Sequence, residues 1–214
     1  MTRVCIVCEG QTEVEFIKTC LAPHLAGSKI WAYPALLQAP SGNHRGGRVT
    51  VERLVKFISH QYKEADRITT LVDFYGFKQR NGRSRTELEA DILKGVQQST
   101  QGFDPRFILP YVQMHEFEAL LFSNVEEFQW VLDGWNEKVF SQLQKVRSEF
   151  GSPEEINDSP ETAPSKRILT IFEKGTYSKT EHGPLIAEAI GLDVMREHCP
   201  AFNEWVSKLE EWGN

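Results

Sequence analysis

Short apolar runs alternating with amphipathic stretches constrain this chain more than any other feature. Arg3–Cys8 is brief, β-branched and ended by Glu9-Gly10, which predicts a buried strand. Val14, Phe16, Ile17, Leu21 and Leu25 follow at helical spacing, so a helix is expected over Thr12–Leu25. Ile30–Leu37 is a second strand, and Pro34 inside it points to an edge or a bulge. Val51, Leu54, Val55 and Ile58 carry a second helix, Ile68–Asp73 a third strand, Leu88, Ile92 and Val96 a third helix, and Phe107–Val112 a fourth strand. Thr12 with Glu15, and Thr86 with Glu89, have the spacing of capping boxes. Ala39–Gly47 and Phe74–Arg85 read as polar loops. Strand–helix alternation implies an α/β fold: a mostly parallel four-stranded sheet with helices on both faces and right-handed crossovers.

After about residue 115 the pattern changes to helices joined by Pro, Gly, Asn and Asp turns. Glu116–Phe122, Val125–Leu132, Lys138–Phe150, Ser165–Glu173, Pro184–Ile190 and Phe202–Trp212 are the expected helices. Residues 1–114 are read as an α/β domain and 115–214 as a mainly helical extension on the same core, closing over one edge of the sheet. A chain of 214 residues can bury a core of that size. No apolar run approaches a membrane span, and Met1 leads directly into a strand, so a cytoplasmic protein without a signal peptide is expected. The oligomeric state is not legible, although Trp205, Leu209 and Trp212 have the spacing of a partner-facing stripe. The other tryptophans are expected in the core, with Trp135 the most exposed. Cys5 and Cys8 have redox or zinc spacing, but three residues apart on a strand they face opposite ways. They are read as buried thiols.

The candidate chemistry lies at strand ends. Glu9 and Asp73 each close an apolar strand, and the carboxyl edge of an open α/β sheet is where ligands bind. Mg2+ is held by one or two carboxylates plus water and phosphate oxygens, so Glu9 and Asp73 are candidate metal ligands. The same residues also suit plain structural work, an acid at a helix N-terminus and a turn. Lys78, Arg80, Arg83 and Arg85 crowd the loop after Asp73 as candidate phosphate contacts, with Arg45 and Arg48 in another loop; a solvated surface loop is the bland alternative. His115-Glu116-Phe117-Glu118 puts acids after the fourth strand. Two apart on a helix they diverge, so Glu116 is taken as the one that faces the site. A later group comprises Asn157, Asp158, Ser165, Lys166, Arg167, Tyr177, Lys179 and His182, none at metal-ligand or triad spacing. The net charge of −6 argues against tight, independent binding of polyanions.

Cys8-Glu9-Gly10-Gln11-Thr12-Glu13 resembles the opening motif of Toprim domains, where this Glu and a later Asp-x-Asp hold Mg2+. Asp73 matches the first acid of the second motif, and Tyr75 stands where the second would be. Over nearly the whole chain the sequence resembles a Toprim-like prokaryotic family, domain of unknown function 4276, distantly similar to overcoming-lysogenization-defect nucleases. The resemblance rests on the segments 9–13, 72–77, 115–122, 154–158, 163–167 and 177–179. It implies a Mg2+- or Mn2+-dependent phosphoesterase, a nuclease acting on DNA or RNA beside an ABC/SMC-type ATPase in a phage-defence-type locus. Glu9 and Asp73 would bind metal. Glu13 or Glu116 would complete the shell or act as base, Lys179 would offset charge at phosphorus, and Lys78, Arg80, Arg83, Arg85 and Lys166 would contact phosphates. The alternatives are a non-catalytic module that regulates the ATPase, which Tyr75 favours, and chemistry on a small nucleotide.

Overall fold

A computed structural model describes residues 1–37, 49–78, 80–156, 159 and 162–213. The expected loop 39–47 with Arg45 and Arg48, and also Asn157 and Asp158, lie outside the described residues. The strands are β1 (Thr2–Cys8), β2 (Ile30–Leu36), β3 (Arg67–Asp73), β4 (Ile108–Leu109) and β5 (Val112–Gln113). Their order is β2-β1-β3-β4, with β5 also on β3, and every ladder is parallel. The α/β architecture is as expected, and Pro34 sits on the edge strand, where its missing N–H costs no ladder bond.

The fourth strand is the exception to a simple ladder. Pro110 cannot donate to β3, so the expected strand splits into β4 and β5. Two buried threonines of β3 span the break. The Thr69 hydroxyl donates to the Leu109 carbonyl at 2.6 Å. Thr70 Oγ1 donates to the Tyr111 carbonyl at 2.7 Å and accepts the Tyr111 N–H at 2.8 Å.

Helices cover both faces. A helical run begins as α1 (Gln11–Phe16), widens to a π-helical stretch over Ile17–Leu21 and ends as α2 (Ala22–Gly27). It packs on one face, with Val4, Ile6 and Cys8. On the other face, α3 (Val51–Gln61) and α4 (Arg85–Ser99) cover Cys5, Val7, Ile68 and Val72. Cys5 and Cys8 therefore lie on opposite faces, and burial pushes both thiols up, Cys5 to about 11. The caps differ from the sequence reading. Gly10 caps α1 and receives Glu13, not Thr12 with Glu15. Ser84 and Glu87 form the box at α4, because Glu89 is turned inward to accept the Val112 N–H at 3.0 Å.

The second half is helical as expected. It comprises 3₁₀ turns at Phe117–Ser123 and Val125–Trp130, then α5 (Glu137–Ser148), α6 (Pro164–Ile171), α7 (Lys179–Ile190), α8 (Leu192–His198) and α9 (Pro200–Glu211). α7 starts five residues before Pro184, and α8 has no counterpart in the expected set. These helices join the core on the α1 face of the sheet. Trp205 stacks on Tyr111 at 4.6 Å and donates its indole N–H to Thr69 Oγ1 at 2.8 Å. Trp205 and Leu209 are thus buried and cannot form a partner-facing stripe. Trp135 packs edge-on against Phe140, whereas Trp31 and Trp130 are the exposed tryptophans, at 54% and 45%.

Replacing Thr70 by Val keeps its shape and takes from the buried Tyr111 N–H its side-chain acceptor, while the Tyr111 carbonyl keeps its place in the β3–β5 ladder. Destabilisation of about 1–3 kcal/mol is expected, read as a lower denaturation midpoint with an unchanged slope.

Candidate functional site

The order of the strands places the site. From β1 the chain passes to β2 on one side, and from β3 to β4 and β5 on the other. Connections that diverge in this way leave a crevice beyond the carboxyl ends of the two central strands. Glu9 follows the last residue of β1, and Asp73 is the last residue of β3.

Other acids converge there. Asp73 Oδ1 accepts the Phe117 N–H at 2.8 Å, anchoring the first 3₁₀ turn of the second half. Glu116 precedes that turn in extended conformation, and its Oε2 accepts the Ser165 N–H at 2.9 Å. Glu118 lies in the first turn. Lys179 Nζ stands 3.2 Å from Glu118 Oε1 and 3.9 Å from Glu116 Oε1. Glu13 Oε2 accepts the Gly10 N–H at 2.9 Å. Glu9 Oε2 is buried without a hydrogen-bond partner among the described residues. It lies so close to Gly76 that a Cβ there would collide with it and would approach the Asp73 carbonyl oxygen to 3.1 Å.

Sequence reasoning missed Glu118. Its divergence from Glu116 holds for two residues on one helix, but Glu116 is extended and outside the turn. Both reach one ammonium group. Arg53, at the start of α3, is a further cation that pattern reading passed over.

The electrostatics bind these groups into one cluster. Burial raises the Asp73 carboxyl well above its usual range, and Glu13, Glu9, Glu118 and Glu116 push it further. Burial, aided by Glu118 and Glu9, lifts Glu13 to about 7. Burial also raises Glu9, against the pull of Lys78, Lys179 and Arg53. Glu118 is raised by burial, with Lys179 opposing. Desolvation lowers Lys179, but Glu118, Glu116 and Asp73 outweigh it and hold the ammonium protonated.

The remaining expected residues divide. Lys78 is exposed and acts on Glu9 through its charge. Arg80 lies over the Phe74 ring at 4.6 Å. Arg83 and Arg85 are turned to α4, pairing with Asp91 at 3.0 Å and Glu89 at 3.6 Å. Lys166 is exposed on α6, beside Ser165. Tyr75 donates its N–H to the His115 carbonyl at 2.9 Å. Tyr177 is buried against Phe128, Phe172 and His182. His182 Nδ1 accepts the Ser178 N–H at 2.9 Å, a structural role at the start of α7.

Among the described residues, no three His, Cys, Asp or Glu side chains form a ready-made metal cage. Mg2+ needs no such cage, since it keeps several waters and takes one or two carboxylates. The donor set of hard oxygens and the unpartnered Glu9 Oε2 fit a hard divalent cation.

Over residues 8–210 the chain matches the family described as a domain of unknown function, DUF4276. The chain belongs to that family. No curated protein matches it. Among solved structures, this DUF4276 member is similar to the C-terminal region of the Xanthomonas campestris pv. campestris OLD protein. The iodine-phased structure is 14% identical, with 100% of this chain and 96% of that chain covered and a TM-score of 0.49. The platinum-phased structure is 13% identical, with 99% and 94% covered and a TM-score of 0.47. Likeness at this level carries no inference about activity. No helix among the described residues is long and apolar enough to cross a membrane.

The titration of the cluster sets a pH dependence. Glu13 holds its proton more tightly in the folded chain than in the unfolded one, where its pKa is near 4.5. The folded state therefore binds more protons between there and about 7, and stability falls as pH rises through that window. Glu9, Asp73 and Glu118 act in the same direction. Without divalent metal, a higher Tm is expected at about pH 5 than at about pH 8; a flat or rising Tm across that range contradicts this. Gly76→Ala is expected to displace the Glu9 carboxylate, read as a lower Tm than wild type.

Proposed function

We propose that this chain is a metal-dependent phosphoesterase, a nuclease that uses Mg2+ or Mn2+ on DNA or RNA. One observation carries the reading: Glu9, Glu13, Asp73, Glu116 and Glu118 crowd the crevice between β1 and β3, and one buried oxygen of Glu9 lacks a hydrogen-bond partner among the described residues. Facing carboxylates repel one another, and either protonation or a cation between them relieves the repulsion. When bound, the metal ion supplies charge stabilisation at the phosphoryl group and acidifies water.

The chain's own residues then divide the work. Glu9 and Asp73 hold the cation, and Gly76 leaves room for the Glu9 carboxylate. Glu13, with a pKa lifted to about 7, is poised to take the proton of the attacking water. Lys179 and Lys78 supply positive charge beside Glu9, where the phosphate would approach. The acidic chain attracts polyanions weakly at long range, which favours delivery by an ABC/SMC-type ATPase partner over independent capture.

A second reading is a non-catalytic module that regulates such an ATPase. It is favoured by Glu116 and Glu118 already being met by Ser165 and Lys179.

Calorimetry with Mg2+ and Mn2+, and cleavage of DNA and RNA on the same samples, separates the two. The proposal expects wild type to bind metal and cleave. Glu9→Gln should lose both. Glu13→Gln should retain metal binding while its cleavage rate falls at least about 100-fold. Absence of metal binding in wild type sinks the enzyme reading and leaves the interaction module.

A further inference from the structure

The placement of Lys179 bears on how many cations the site takes. Its backbone is anchored through the two residues before it. Tyr177 is buried in an aromatic group with Phe128, Phe172 and His182. The Ser178 N–H is held by His182 Nδ1 at 2.9 Å. From this anchor the Lys179 side chain reaches Glu118 Oε1 at 3.2 Å and Glu116 Oε1 at 3.9 Å. Both carboxylates are buried, and Glu116 spends its other oxygen on the Ser165 N–H. An ammonium has three donors and no acceptor, so it satisfies acids as a point charge, much as a metal ion does. A divalent cation bound to Glu116 and Glu118 would lie within a few ångströms of that ammonium, between two buried carboxylates that already hold one positive charge. The ammonium and such a cation exclude each other. Glu9 Oε2, by contrast, has no partner among the described residues.

We propose that the site binds one divalent cation, at Glu9 and Asp73, and that the Lys179 ammonium fills the position between Glu116 and Glu118 that a second cation would need. The inference rests on the metal-binding reading above and adds its stoichiometry. Lys179 is then a fixed counter-ion of the acidic cluster as well as a source of positive charge for the substrate.

The test is to count Mn2+ bound to the full chain, by calorimetry and by the loss of the free-ion paramagnetic resonance signal. Neither readout depends on cleavage. The expected result is one Mn2+ per chain for wild type and for Lys179→Arg. Lys179→Met, its fold checked by circular dichroism, should bind two, because Glu116 and Glu118 are released to a second ion. Two ions in wild type would overturn the proposal and leave the metal-dependent reading standing. None in wild type would overturn both. A folded Lys179→Met protein that still binds one ion would also overturn the proposal. Should Lys179→Met fail to fold, Lys179→Met/Glu118→Gln removes both partners of the closest contact and is expected to bind one ion; two ions there would show that the position does not depend on the Glu116–Glu118 pair and would overturn the proposal.

Discussion

The divergence of the chain from two neighbouring parallel strands, β1 and β3, is the constraint on which the acidic site depends. Backbone pairing joins Cys8 to Leu71, so the residues just beyond are brought together at one edge whatever their chemistry. Parallel strands end on the same side, and crossovers that leave in opposite directions cannot fill the space between. Glu9 and Asp73 occupy that space because of topology. The 3₁₀ turn carrying Glu118 is then drawn in by the bond from the Phe117 N–H to Asp73. One carboxylate oxygen thus does two things: it caps the segment that starts the helical half, and it places Glu116 and Glu118 against Lys179.

That arrangement has an energetic cost the fold must offset. Removing carboxylates from water and facing them toward one another disfavours their charged forms. The chain relieves this locally. Backbone N–H groups of Gly10, Ser165 and Phe117 meet Glu13, Glu116 and Asp73, and Lys179 meets Glu116 and Glu118. Glu9 is the member whose second oxygen these arrangements leave without a partner among the described residues.

Much of this was legible in the sequence, and the reasons are local. Short β-branched runs closed by Glu9 and Asp73 announce strand ends at an edge where ligands bind. The apolar spacing of Leu88, Ile92 and Val96 marks the buried face of α4. What stayed hidden depended on conformation or on distant partners. Glu118 was obscured because Glu116 is extended, which no residue pattern separates from a helical turn. Ser84 with Glu87 and Thr86 with Glu89 have the same spacing, and only the position of β5 decides between them, by drawing Glu89 to Val112. Trp205 reads as a candidate for an exposed stripe until Tyr111 and Thr69, nearly a hundred residues earlier or more, are brought beneath it. The arginines carried a usable signal: Arg85 and Glu89 are four apart on one helix, the spacing of a local pair.

The fate of those arginines limits what the site can hold. With Arg83 and Arg85 committed to α4 and Arg80 lying over Phe74, the charge acting on Glu9 comes from Lys78, Lys179 and Arg53. Lysine and arginine differ in this work. Arginine grips a phosphate through a planar fork, whereas lysine offers a mobile point charge that neutralises without fixing orientation. On the proposed reading, the two lysines from opposite halves of the chain would lower the potential around a phosphate, and Arg53 is the one cation of the three with a fork to orient it. On the same reading, discrimination among substrates would come from what surrounds the phosphate, and the exposed Trp31 gives little help. Trp31 is on the edge strand, outside β1, packed on Tyr33 rather than between the central strands. On the proposed reading, substrate selection therefore falls to a partner.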